Sequence, residues 1–380
     1  MRQDYDYIIA GMGCAGLSLA VQLKQSKVPF SKILLIDKTP KNTNDRTWCF
    51  WTKTEEQWYA PIVHKKWNHL TFAADKTISF DISPYRYCLI RGIDFYNYCL
   101  NELSGDDRFE IVYANILKIK GDGHLAELQT TQTTYTAKLI FNSAIQKVDA
   151  KHAHVNFVQH FKGWKVAFEK EVVDAESPVF MDFGIDQKND CRFVYTIPYS
   201  KKVALIEYTG FSNHAISVEE YDAEIMAYIH KKYKDIAYEI LEEEQGQIPM
   251  FESAFINPFG PKVVNIGTAG NASKASSGYT FYFIQKAVKD IVMQLQNQND
   301  KISLVKKPAR FHYYDKVLLD VLNKKEVPAK TVFEKLFQNN KINDLLDFLN
   351  EESTVVQDLK IINSLPKKHF IFSGIKKLWC

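Results

Sequence analysis

Hydrophobic and polar positions change rhythm several times along this chain, and each change marks an element. Tyr7-Ile8-Ile9-Ala10 is an unbroken apolar run closed by glycine, the pattern of a short buried strand. After Gly16, the apolar residues Leu19, Ala20 and Leu23 recur at helical spacing, and Lys32 to Ile36 supplies a second strand ending in Asp37. A helix is predicted to begin near Arg91, with Ile93, Tyr96 and Leu100 on one face. Short strands follow over Ile111–Ile119, Leu125–Thr130 and Thr134–Phe141, with Gly121-Asp122-Gly123 as a turn. Residues 152–210 are strand-rich. Phe193–Ile197 and Val203–Tyr208 flank Pro198-Tyr199-Ser200-Lys201-Lys202 as the hairpin of a separate antiparallel sheet. Past Ser217 a helix is expected to about Glu244. Ile284, Ala287, Val288, Ile291, Val292 and Leu295 then form one apolar helical stripe, and after Lys306 the chain reads as helical, without glycine until Gly374.

The first elements enclose Gly11-Met12-Gly13-Cys14-Ala15-Gly16, which has the GxGxxG spacing in its required context of strand, glycine turn, helix, strand and acid. Gly11 serves the tight turn, Gly13 lets a pyrophosphate approach the backbone, and Gly16 lets the helix pack close to the sheet. Asp37 is placed to accept from an adenosine ribose, and the helix N-terminus faces the phosphates. This unit alone does not separate FAD from NAD. A second cluster, Gly267-Thr268-Ala269-Gly270 with Ser276-Ser277-Gly278, precedes the striped helix and offers another anion-binding helix start. One cofactor held from both ends of the sequence is the pattern of extended FAD proteins. The expected fold class is α/β, a Rossmann-type FAD-binding domain with an inserted antiparallel β-sheet substrate domain and a helical C-terminal region. Its parts are 1–150 for the first FAD-binding segment, with substrate-domain strands near 65–85, then 151–255 for the substrate sheet and helix. The FAD-binding domain returns over 256–300, and 301–380 is helical.

Composition narrows the ligands. The 6 Trp, 20 Tyr and 25 Phe make 13% of 380 residues, so a large apolar ligand is worth considering. With 48 basic and 45 acidic residues the chain is too balanced to suggest nucleic acid, but the last 80 residues hold 15 Lys and Arg against 9 Asp and Glu. Six cysteines without a CxxC pair suggest neither a zinc site nor a disulfide framework, and a reducing compartment is expected. No signal peptide and no membrane-spanning run is legible. His152, His154 and His160 lack supporting carboxylate or cysteine spacing, so a solvated strand edge is expected there rather than a metal site.

With these elements in place, further motifs carry a resemblance. They are Asp45-Arg46-Thr47-Trp48-Cys49-Phe50, Phe180-Met181-Asp182-Phe183, Arg192 through Pro198, Leu205-Ile206-Glu207-Tyr208-Thr209, Gly267 through Phe281, Phe311-His312-Tyr313-Tyr314-Asp315, and Phe348-Leu349 with Leu365-Pro366. In this order the chain resembles, nearly end to end, the bacterial lycopene beta-cyclases, FAD-dependent members of the p-hydroxybenzoate-hydroxylase-like flavoprotein superfamily. It departs from them at Asn271, where a second glycine is usual, at Ser276, near a usual proline, and at Cys49, near a usual small or polar residue.

The resemblance implies a redox-neutral isomerase that closes rings at the ends of lycopene, with reduced FAD as cofactor and NAD(P)H as its reductant. The hard step is protonation of a carbon–carbon double bond in a dry site. Glu207 is singled out as acid and base by the family's Leu-Ile-Glu-x-Thr strand, and period-two neighbours Val203 and Leu205 would give it an apolar setting that raises its pKa. Asp182 competes for the role, with an orienting or structural part the alternative. Trp48, Phe50, Trp51, Phe193, Tyr195, Tyr279 and Phe281 are candidates to line the substrate and stabilise a cation, though most are expected to be core. Gly11, Gly13, Gly16, Asp37, Gly267, Gly270, Ser277 and Gly278 would hold the cofactor. Arg91 suits either flavin phosphates or a surface salt bridge.

A hydrocarbon substrate resides in the bilayer. Lys306, Lys307, Lys324, Lys325, Lys367, Lys368, Lys376 and Lys377 could therefore meet anionic lipid while Phe370, Ile371, Phe372 and Trp379 enter the interface, the other reading being a solvated helical surface. The expected location is the bacterial cytoplasm at the inner membrane. Partners would be lycopene, related acyclic carotenoids and the membrane surface, without nucleic acid. A flavin monooxygenase or polyprenyl reductase on the same fold is the alternative. The Asp-Gly and Gly-Asp motifs usual in monooxygenases are absent at Asn142-Ser143 and Gly267-Thr268. A non-catalytic nucleotide-binding module would leave Glu207 and the aromatic excess without purpose.

Overall fold

The computed structural model describes residues 4–55, 57–144, 157–250, 257–297, 301–304 and 308–378. The opening strand, Tyr5–Ala10, is buried throughout and sits at the centre of a seven-stranded sheet. Parallel partners flank it: Ile33–Asp37 on one side, itself beside Phe109–Tyr113, and Thr134–Asn142 on the other. Thr134–Asn142 has a divided far edge. Its first half pairs antiparallel with Ala126–Thr130, and its second half pairs parallel with the late strand Val263–Asn265. Sequence positions more than a hundred residues apart thus share one sheet edge.

The expected single strand over Ile111–Ile119 is two strands. Phe109–Tyr113 lies at one end of the sheet and Ile116–Lys120 at the other, because the chain leaves the parallel layer at Ala114 and returns through a meander. Helix Cys14–Gln25 covers the parallel strands and packs on helix Phe281–Gln296, whose apolar stripe is buried as expected. Gln285 ties the two helices together, donating to Ser18 Oγ at 2.9 Å.

A second seven-stranded sheet runs in the order Tyr238–Met250, Phe157–Phe168, Val203–Ser212, Cys191–Pro198, Val179–Asp182, His69–Ala73 and Thr77–Asp81. Its neighbours are antiparallel except Val179–Asp182 against His69–Ala73. Period-two alternation divides its faces. Trp164, Val166, Val194, Ile206 and Tyr208 pack under helix Val218–Tyr233, whereas Phe193, Tyr195, Ile197 and Leu205 face the C-terminal helices. A small third sheet joins Thr47–Thr52, Arg86–Arg91 and Lys65–Trp67.

The helix expected to run to Glu244 stops at Tyr233. Lys234 turns the backbone to φ 57°, and Tyr238–Met250 becomes the edge strand beside Phe157–Phe168. The acidic run Glu242-Glu243-Glu244 resembles a solvated helix face in sequence, but the edge strand gives alternate residues alternate surroundings. Lys165 pairs with Glu242 at 2.7 Å and Lys162 with Glu243 at 3.0 Å, while Glu244 turns inward.

The C-terminal region is helical as expected: Ala309–Lys324, Ala329–Asn339, Ile342–Leu349, Val355–Ser364 and Lys367–Leu378. Thr354 and Gln357 form a capping box at the fourth of these, satisfying two otherwise unpaired amides. Among the described residues no helix is long and apolar enough to cross a membrane.

Candidate active site

The glycine turn has the geometry its spacing predicts. Gly11 adopts φ 98°, in the left-handed region, and a Cβ on Gly16 would stand 2.0 Å from the Gly11 carbonyl oxygen, so only glycine lets the helix approach. A Cβ on Gly13 would meet nothing within 4 Å, which leaves the cradle open on its ligand side. Asp37 ends its strand buried. Its Oδ2 accepts from the Met12 amide at 2.7 Å and its carboxylate pairs with Lys41 at 3.3 Å, so it shapes the turn as well as facing it.

The second glycine cluster closes on the first. Gly267–Gly270 is a 3₁₀ turn, Gly267 has φ 63°, and its missing Cβ would lie 2.8 Å from Ala15 Cβ at the start of the first helix. At Gly278, φ 69°, a Cβ would overlap Gln159 Oε1 at 1.7 Å. Gln159 Oε1 and Ser277 Oγ are buried without a hydrogen-bond partner. An open glycine cradle at one end and orphaned polar atoms at the other fit an extended dinucleotide such as FAD, whose polar edge would satisfy them. Arg91 makes a bidentate pair with Asp94 of its own helix, so its side chain is engaged as a local ion pair.

Between the cradle and the antiparallel sheet lies a cavity of about 260 Å³. Trp48, Tyr195, Tyr279 and Phe281 line it, with Glu207, Gln159, Ser277 and Gly278. The tyrosine hydroxyls of Tyr195 and Tyr279 stand 3.5 Å apart. Phe50 and Phe193 do not line this cavity. Phe50 stacks behind Phe281 with centroids 4.5 Å apart, and Phe193 is fully buried against Phe183 and Phe211. Trp51 is also core, edge-on to Tyr279 at 4.7 Å.

Glu207 opens into this cavity, and the sheet register gives it a partner that the sequence reading missed. Strand Phe157–Phe168 runs between the strands of Glu207 and Glu244, and Gly163 is in register with both. A glycine at that central position leaves the two carboxyl groups free to meet over the strand. A Cβ there would stand 3.3 Å from Glu207 Cβ and 3.0 Å from Leu205 Cδ1. The two carboxyl groups are close enough over Gly163 for each to perturb the other's titration. Thr209 donates to Glu207 Oε1 at 3.1 Å and Thr47 to Glu244 Oε2 at 2.8 Å.

Burial and the neighbouring carboxyl push Glu207 well above the ordinary carboxylate range. Burial also raises Glu244, but the Thr47 hydroxyl and the charge of Arg46 pull against that rise. The pair therefore holds a proton more tightly than an ordinary carboxyl and acts as a single titrating unit. The signal for Glu244 was an isolated glycine in an otherwise well-packed strand, the usual mark of a close approach from a neighbour.

Asp182 is not brought to this cavity. It pairs with Val194 on the opposite face of the sheet, where Oδ2 accepts from Tyr228 at 2.8 Å and Oδ1 from the Gly184 amide at 2.8 Å, with Lys232 at 3.5 Å. The structure thus sets it on the helix-covered face of the sheet, apart from Glu207. His160 corrects the strand-edge expectation. It lies on the inner strand Phe157–Phe168, fully buried between Tyr221 at 2.6 Å and Ser212 at 3.0 Å, because Gly210 opposite leaves room for its ring. His152 and His154 lie outside the described residues, as do Lys306, Lys307 and Trp379. Among the described residues no cluster of three or more His, Cys, Asp or Glu is placed to hold a metal ion.

In the basic tail, Lys325 pairs with Asp190 at 2.7 Å, and Lys324 and Lys377 surround Asp320, so these charges are partly spent within the molecule. Phe370 points into the helical region, whereas Ile371 and Phe372 are exposed.

The whole chain shares its fold with a flavoprotein/dehydrogenase from Cytophaga hutchinsonii, at TM-score 0.67 and 11% identity, covering 98% of this chain and 99% of that one. It shares it also with a geranylgeranyl bacteriochlorophyll reductase-like protein from Thermoplasma acidophilum, at TM-score 0.63 and 14% identity, covering 97% and 98%. In sequence, 277 residues are 27% identical to a lycopene beta-cyclase from Pantoea ananas, covering 68% of this chain and 66% of that protein, just under two thirds of the relative's length. The family described as "Lycopene cyclase protein" matches residues 6–372, so that both glycine clusters, the Glu207 strand and most of the C-terminal helices fall within one match, and the chain belongs to the lycopene cyclase family.

Proposed function

We propose that this protein is a lycopene beta-cyclase, which converts the psi end groups of lycopene to beta rings by acid catalysis without net electron transfer. The observation that carries the reading is the Glu207–Glu244 carboxyl pair facing an aromatic cavity beside the glycine cradle. Gly11, Gly13, Gly16 and Asp37 would hold FAD at one end, with Gly267, Gly270, Ser277 and Gly278 at the other. Bound there in its reduced form, with NAD(P)H as reductant, FAD would supply negative charge to stabilise a developing cation.

Glu207 carries the proton in the resting pair and donates it to the terminal double bond. A tertiary carbocation forms, and the neighbouring double bond attacks it to close the ring. The faces of Trp48, Tyr195, Tyr279 and Phe281 stabilise the positive charge while excluding water. Glu207, now a carboxylate hydrogen-bonded by Thr209, takes a ring proton and regenerates the acid. One proton enters and one leaves, so atoms and electrons balance. Glu244 holds the Glu207 carboxyl in place through the dry interval between the two transfers. Docking on the bilayer through the exposed residues of the last helix would deliver the hydrocarbon.

The test is an anaerobic assay of the flavin-loaded protein with lycopene in liposomes, with and without dithionite, following pigments by chromatography. Conversion to gamma- and beta-carotene without stoichiometric loss of reductant is the expected result. Bound flavin with untouched lycopene, or reductant consumed in step with product, would move the function to the monooxygenase or reductase class.

A further inference from the structure

A larger cavity, of about 650 Å³, lies within the C-terminal helices. Leu318, Leu336, Phe348, Ile361 and Phe370 are typical of its walls. Of its charged lining residues, Asp315 is already engaged by Lys274 at 2.9 Å and Ser276 at 2.6 Å, and Lys367 stands at the start of the last helix. Such a space offers water few hydrogen-bond partners and suits an apolar occupant. Two features give it direction. At its inner end Ser277 lines both this cavity and the one that holds Glu207. At its outer end Leu359, Ile371 and Ile375 line it while being 60%, 60% and 58% exposed.

The rim extends along the surface. Helix Val355–Ser364 exposes Val355, Val356 and Leu359, and helix Lys367–Leu378 exposes Ile371, Phe372 and Ile375, the same i, i+1, i+4 spacing in each. Contiguous exposed apolar surface of this kind marks an interaction site, and lysines at 367, 368 and 376 stand on the same helix.

We propose that this cavity is the binding channel for the hydrocarbon chain of a linear isoprenoid drawn from a lipid bilayer through the mouth between the last two helices. The inference rests on the cyclase reading for the identity of the occupant. The Glu207 cavity has room for one end group but not for a long polyene, and the chain of that molecule must lie in continuous apolar space. The helical cavity is the apolar space that adjoins the Glu207 cavity, with Ser277 in the wall of both.

The experiment uses the flavin-loaded full chain with phosphatidylcholine vesicles carrying a geranylgeranyl hydrocarbon that bears a photoreactive diazirine, and mass spectrometry to map the label. Label is expected at Leu318, Leu336 and Phe348, displaced by excess lycopene. The double variant Leu318→Trp/Leu336→Trp fills the channel and should lower that labelling about tenfold while retaining flavin. Val356→Asp/Phe372→Asp, on the exposed rim and outside the cavity lining, should slow uptake from vesicles about tenfold but leave labelling from detergent-dispersed probe unchanged. Label confined to the rim, or a filled channel labelled like the wild type, overturns the proposal. Lycopene converted equally well by the filled variant sinks the channel and spares the cyclase reading. A labelled channel in a protein that leaves lycopene untouched does the reverse.

Discussion

On the helix-covered face of the antiparallel sheet, Asp182 is surrounded by Tyr228, Lys232 and the Gly184 amide, and Arg192 bonds Tyr208, Glu220 and Asp190. On the cavity face, Glu207 and Glu244 have each other, two threonine hydroxyls and aromatic rings, and Arg46, the sole basic lining residue among those described, is held by the Asp45 and Gln245 carbonyls. The same sheet therefore buries acids in two ways. Where a cation answers the carboxylate, the pair ties the sheet to its covering helix and serves the fold. Where another carboxyl answers it, a proton is held more tightly than on an ordinary carboxyl, and a proton so held can be spent on chemistry.

Substitutions that exchange these conditions should break the comparison in a graded order. Glu207→Gln removes the transferable proton with little change of shape, and turnover of lycopene should fall about 10³-fold or more with flavin content intact. Gly163→Val pushes a side chain between the paired strands at the point where the carboxyls meet, and a loss of about 10²-fold is expected from misplacement alone. Glu244→Gln leaves Glu207 its neighbour's shape but not its charge. Turnover should fall about tenfold, and because the like charge no longer raises Glu207, the alkaline limb of the pH–rate profile should move to lower pH. An unmoved limb would mean that the two groups titrate independently.

Asp182→Asn is the control from the other face. Thermal melting should report a loss of about 1–3 kcal/mol, from disturbed buried hydrogen bonds, while turnover stays within about twofold. The smallest effect is expected at His160, whose imidazole burial holds at about 4. As pH falls from the ordinary histidine value toward 4, the unfolded chain takes up a proton that the native one refuses, so this residue lowers stability in that window and has no such effect above it. His160→Gln should flatten the dependence of melting temperature on pH there. An unchanged slope would mean that another group is responsible.

Local patterns revealed the elements that local forces build. The glycine turn, the first helix, the hairpin of Glu207 and the striped helix all carry period or punctuation signals, and the structure has them in place. What stayed hidden depends on contacts far apart in sequence. The run Glu242-Glu243-Glu244 is charged throughout, and only its pairing with a strand some eighty residues earlier decides that Glu244 faces inward. Similarly, Asp182 and Glu207 both occupy family-like strand motifs, but register alone puts them on opposite faces. Phe50 and Phe193 were legible as apolar and were not legible as core rather than lining, because both fates ask for the same residue type.

Lys274 shows how late in the life of the chain this site becomes complete. Its ammonium is almost fully buried and is answered by Asp315 at 2.9 Å, on helix Ala309–Lys324, and by Glu351 at 3.2 Å, in the turn after helix Ile342–Leu349, while its backbone holds the turn of Ser277 and Gly278. A buried ammonium without those carboxylates would be strongly destabilising, so the loop cannot settle until the segment around Glu351 has been synthesised and folded. The opening glycine turn leaves the ribosome first and must wait for nearly the whole chain before its counterpart can close on it. Newly made protein thus passes through a long interval in which one half of the cradle is ready and the other is still unmoored.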